Sequence, residues 1–187
     1  MLPAKPLMHA AARWIAAIVF ALIAAGAIAQ PRYGLAPEVS AVFERWVMTT
    51  CVGDEARELA AQLRRYAAQL EPAFRKAIVD GPPPAELREV RAAAEERFAA
   101  RQKFPIQEYT VEGVSEKDLA AFRRVPRQAY VDDQVQRFAT GYRANAVAAL
   151  GIIGGPGARE TLARLAANRN DPLAAAAREA IKVADQR

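Results

Sequence analysis

Apolar residues fall three and four positions apart along most of this chain, and runs that alternate residue by residue are nearly absent. That spacing places one stripe of side chains along a helix and predicts an all-α protein. Glu38 to Thr50 is expected as a first helix, with Val39, Val42, Phe43, Trp46 and Val47 on one side and Gly53 ending it. Asp54 is suited to accept hydrogen bonds from the free amides that open the next helix. From Glu55, the residues Ala56, Leu59, Ala60, Leu63, Tyr66, Ala67 and Leu70 form a core-facing stripe. Pro72 lacks an amide proton and is expected to open a new segment, Pro72 to Val79, packed through Phe74 and Ile78. Asp80-Gly81-Pro82-Pro83-Pro84 is a stop.

A helix from about Ala85 to Lys103 should turn Leu87, Val90, Ala94 and Phe98 inward, with Phe104-Pro105 breaking it. Pro105 to Val114 (PIQEYTVEGV) is the one stretch without helical periodicity and reads as an irregular connector or at most a short strand-like piece. Ser115 then has the pattern of a helix cap, and Leu119 to Arg124 a short helix closed by Pro126. Between Arg127 and Leu150 the apolar positions Val131, Val135, Phe138, Tyr142, Ala146 and Ala149 continue in phase through Gly141, so one long helix is expected. Gly154-Gly155-Pro156-Gly157 reads as a tight turn, Arg159 to Ala167 as a helix, Asn168 to Pro172 as a turn and Leu173 to Ala184 as the last helix. The chain therefore divides into residues 1–29, a lead-in at 30–37, helices at 38–104, a connector at 105–126 and helices at 127–187.

Two C-terminal segments repeat. YRANAVAAL, ending at Leu150, overlays LAAAAREAI, ending at Ile181, a shift of 31 residues (150 to 181) that sets Tyr142 on Leu173, Ala146 on Ala177, Ala149 on Ala180 and Leu150 on Ile181. A looser copy, VRAAAEERF, ends at Phe98 and sets Arg91 on Arg143. Periodic self-similarity of this length marks stacked helix pairs that bury their stripes against one another. The stretch YRANAVAALGIIGGPGARETLARLAANRNDPLAAAAREAI resembles HEAT repeats, specifically the short kind of the phycobilin-lyase-like group: the turn after Leu150-Gly151, the helix ETLARL, the Asn-Asp-Pro opening and the alanine-rich return helix fall where that pattern expects them. The resemblance covers the C-terminal part well, residues 54–104 loosely, and not the connector. It implies antiparallel helical pairs in an α-α superhelix and a binding surface for another macromolecule. It carries over no catalytic residue.

The N-terminus belongs to a different physical category. Lys5 and Arg13 are its only charges before Glu38, apart from Arg32, and Trp14 to Ala29 is an uncharged apolar run ending in Ala27-Ile28-Ala29. The run is shorter than the roughly 20 residues that a bilayer span requires. A signal helix cleaved before Gln30 is expected, which would make the protein exported, and periplasmic in a Gram-negative source. An uncleaved segment would instead anchor the chain to a membrane.

Composition narrows the chemistry. Of 26 basic residues, 24 remain without Lys5 and Arg13, against 21 acidic ones. The two signs interleave along the helices, which is the pattern of solvated faces; no nucleic-acid partner is expected. The single histidine, His9, lies in the leader, so the mature chain has no imidazole for nucleophilic catalysis or a typical zinc site, and no cofactor is expected. Cys51, the one cysteine, can form no internal disulfide and reads as a small buried hydrophobe. The glycine-rich 154–157 turn lacks the Gly-Lys-Ser/Thr of a phosphate loop. Ser115 and Lys117 face different directions, so they form no dyad.

Two carboxylate pairs remain, Asp132 with Asp133 and Glu108 with Glu112. A polymer-cleaving enzyme can work with carboxylates alone. Both pairs read first as solvated helix-start and loop residues. Ile106, Glu108, Tyr109 and Glu112 in the connector form a candidate partner-facing rim, because long aperiodic segments in compact domains are often functional. The leading expectation is an exported interaction or scaffold protein with a protein partner and no enzymatic role. The alternatives are a carboxylate-dependent hydrolase or lyase of envelope polymers, and a membrane-anchored helical protein.

Overall fold

The computed structural model describes residues 32–48, 54–103 and 124–186. Among them are seven α-helices and no strand: α1 (Pro37–Met48), α2 (Asp54–Arg65), α3 (Ala67–Asp80), α4 (Pro84–Lys103), α5 (Arg127–Ile153), α6 (Pro156–Ala167) and α7 (Ala174–Asp185). All lie in one unit, Leu35–Arg187; of the preceding unit only the 3-10 turn Arg32–Gly34 is described. The expected N-terminal signal helix, the breaks at Gly53 and at Phe104-Pro105, Cys51 and the greater part of the connector lie outside the described residues.

Helix α5 is the axis of the unit, and each of the other six packs against it. The reason is its length and its stripe. Val131, Tyr142, Ala146, Val147, Ala149, Leu150 and Ile153 are buried along it, and Phe138 is half-buried beside Tyr142. Gly141 interrupts the stripe without breaking the helix. It is exposed, and a methyl group there would meet nothing. Opposite the N-terminal helices the core is aromatic and aliphatic. Phe43 of α1 and Phe74 of α3 stack at 4.9 Å between ring centroids, among Val39, Leu59, Leu63 and Leu70, all buried. Every residue expected on the inner side of the first helix is buried.

The C-terminal helices alternate in direction. Arg159 in the first turn of α6 donates to the carbonyl of Gly154 just past α5 and to Ala184 at the end of α7. Farther along, Arg178 of α7 donates to Ala166 at the other end of α6. Helix α6 therefore runs antiparallel to α7, while α5 and α7 point the same way. Where these two parallel helices meet, the side chains are small. Ala177, Ala180 and Ala184 are buried, and Gly151 lies so close to α7 that a Cβ on it would sit 2.6 Å from the carbonyl oxygen of Ala180.

Four expectations need correction. Pro72 does not open a helix; it lies inside α3, and the break comes six residues earlier at Tyr66, whose backbone (φ −105°, ψ 20°) leaves the helical region. The carbonyl that proline cannot serve is that of Ala68, an exposed residue that water can reach. The turn after α5 begins at Gly154 rather than after Leu150-Gly151. Gly154 adopts the left-handed conformation (φ 68°) and closes the helix onto the carbonyl of Leu150, as a C-terminal glycine does. Helix α6 starts at Pro156 rather than Arg159, because Gly155 is its extended N-cap and proline suits the first helical position. Finally, of the stripe expected on α4 only Ala94 is fully buried; Leu87, Val90 and Phe98 are half-buried.

Candidate functional site

The polar side chains that the fold brings together meet chiefly at helix ends. Trp46 of α1 donates its indole N–H to the carbonyl of Asn145 at 2.7 Å, and the Asn145 amide donates back to the carbonyl of Val47 at 3.0 Å. This reciprocal pair fixes the last turn of α1 to the middle of α5. Arg143, two residues earlier, covers the other side. Its guanidinium lies over Gly81 and reaches toward the carbonyl of Val79 at 3.4 Å. Gly81 has φ 73°, a left-handed conformation that favours glycine, and a Cβ on it would lie 3.0 Å from the Arg143 Nε, so the guanidinium would have to shift. The cation also stands at the C-terminal end of α3, where the helix dipole favours positive charge. Its Nε is buried and accepted by no oxygen.

The glycine-rich 154–157 turn has an occupant. The carboxylate of Glu71, in α3, lies against Gly155 and Gly157 at the start of α6; a Cβ on Gly155 would be 2.7 Å from its Oε2. Arg75 stands beside it, 4.0 Å from Glu71 Oε1. The position where a helix N-terminus would attract a phosphate is thus filled by the chain's own anion, which fits the inter-helix turn read from the sequence. At the C-terminal end of α7, Arg159 combines its two carbonyl contacts with an ion pair to Asp185 at 2.6 Å.

Asp132 and Asp133 are the one candidate carboxylate pair among the described residues. They sit side by side on α5 but engage different partners. Asp132 accepts from Gln128 at 2.8 Å and from Arg91 of α4 at 3.1 Å; Asp133 pairs with Arg137 at 2.8 Å. The Gln128 amide, helped by Arg91 and opposed by desolvation, holds the Asp132 carboxyl below its ordinary value of 3.8. A general acid needs the reverse, a carboxyl held above its ordinary value so that it stays protonated near neutral pH. Among the described residues no three His, Cys, Asp or Glu side chains converge as metal ligands. No described helix is long and apolar enough to cross a membrane.

No known family, curated protein or solved structure matches this chain. The geometry must therefore speak for itself. Of the residues singled out in the sequence, Ile106, Glu108, Tyr109 and Glu112 lie outside the described residues, as do Ser115, Lys117 and His9. Asn145, Arg143, Glu71 and Arg159 were not singled out, yet they make the inter-helix polar contacts. Asn145 left one trace in the sequence: it is an amide set between Tyr142 and Ala146 on an otherwise apolar stripe.

Proposed function

We propose that this chain is an exported helical scaffold that binds another protein, with a HEAT-like stack of α5, α6 and α7 as its rigid part and the connector rim around Ile106, Glu108, Tyr109 and Glu112 as its contact surface. The observation that carries the reading is the agreement between repeat and burial. Of the four pairs that the 31-residue repeat equates, Tyr142 and Leu173, Ala146 and Ala177, and Ala149 and Ala180 are buried at both positions, and in the fourth Leu150 is buried and Ile181 half-buried. Alternating helix directions with equivalent inner positions are what stacked helix pairs require. The polar contacts at the helix ends add support, because they tie helices to one another.

A photoreactive amino acid placed at Tyr109 of the full-length chain, expressed in its own cells, tests the proposal. A discrete cross-linked protein is expected, lost when Glu108 and Glu112 are both changed to Lys. Absence of any protein adduct from Tyr109 and from Ile106, together with breakdown of an envelope polymer by the purified chain, overturns it in favour of an enzyme. Mass spectrometry of the same material checks export: a mature chain starting at Gln30 is expected, whereas one starting at Met1 in the membrane fraction identifies an anchored protein.

A further inference from the structure

Helix α4 differs from the others in how it is held. It is 20 residues long, yet Ala94 alone of the residues whose burial is described is fully buried in it, and its main packing partner among the described helices is α5. The seam between them is charged. Arg91 pairs with Asp132 at 3.1 Å and Glu95 with Arg127 at 3.1 Å, the two contacts running in opposite directions along the two helices, which makes α4 and α5 antiparallel. One aromatic contact closes the seam. Phe98 lies 5.6 Å from Tyr130 between ring centroids, and the guanidinium of Arg101 sits 4.8 Å over the Tyr130 ring. All four ion-pair side chains are exposed by two-fifths or more, so water and salt reach them.

We propose that α4 is a separately opening arm, which leaves α5 without unfolding of the α5–α6–α7 stack and does so more readily as ionic strength rises. Local opening follows regions with few buried apolar contacts and exposed ties. Here α4 has one buried residue, while α7 has Ala174, Ala177, Ala180 and Ala184 closed against its neighbours. The first turn of α4 is tethered by the Gly81-Pro82-Pro83 corner, with Gly81 and Pro82 buried, so the arm pivots at that end. Its departure uncovers the Tyr130 ring on α5, which Phe98 and Arg101 cover. This inference does not depend on the binding role above.

Hydrogen exchange read by mass spectrometry on the full chain is the test. Amides in 88–103 are expected to exchange about tenfold or more faster than those in 177–185 under conditions where both report opening equilibria. Raising salt from about 0.05 M to about 0.5 M should speed the α4 amides about threefold and those of α7, whose buried alanines carry most of its packing, by clearly less. Glu95→Gln with Asp132→Asn should reproduce that acceleration at low salt and remove its salt dependence. Equal protection of α4 and α7, or equal acceleration of both in the double variant, overturns the separate arm; faster exchange of α4 without any salt response overturns the charged seam.

Discussion

Arg159 joins three helix ends with one side chain, touching the carbonyls of Gly154 and Ala184 and the carboxylate of Asp185. Carbonyls at helix termini have no partner of their own, and a cation there also meets the negative end of the dipole. Arg159→Ala is expected to cost about 1 kcal/mol, measured by denaturant unfolding, with Arg159→Lys recovering part of it. Asp132 makes a different prediction. Its carboxyl is held below 3.8 in the folded chain, so it contributes stability above the unfolded value and loses that contribution as pH falls through the lower folded value. Thermal melts should show no effect of this group between about pH 5 and 8 and a decline on the acid side of its ordinary value. Asp132→Asn should make that acid limb shallower.

At the scale of elements, helix dipoles organise the contacts. Glu71 supplies the negative charge at the start of α6, and replacing it by Gln should destabilise the fold by about 0.5 kcal/mol at low ionic strength, with the difference shrinking as salt is added. The periodic pattern gave the faces of these helices well: Val39, Phe43, Leu59, Leu63, Tyr142 and Ala146 are buried where the spacing of three and four put them. It gave continuity less well. The stripe through Leu63, Tyr66, Ala67 and Leu70 keeps its phase while the backbone breaks at Tyr66, because phase records which way side chains face and is blind to one residue leaving the helix. The helix-end contacts of Glu71, Arg143 and Arg159 were illegible for a related reason. They join residues distant in the chain, and on the sequence they look like any solvated charge.

Considered as a whole, the unit is built around one helix, α5, against which the other six described helices pack. Tyr142 lies at its centre, 1% exposed, with Phe138 beside it. Tyr142→Ala is therefore expected to weaken the entire unit by about 3–4 kcal/mol and to shift a single cooperative transition, seen alike by circular dichroism and by Trp46 fluorescence. A truncation that removes α7 should do likewise, since α7 packs against α5 more extensively than any other described helix.

The near-contact of Gly151 with Ala180 carries this further. Two parallel rods that touch through backbone have their separation set by atoms that every amino acid shares, so adding even a methyl group means prising them apart. Gly151→Ala should cost about 1–3 kcal/mol, an unusual penalty for so slight a change in a helix. A library of random substitutions should accordingly accept at residues 151 and 180 only the smallest side chains, while the exposed Gly141 ten residues away tolerates nearly any.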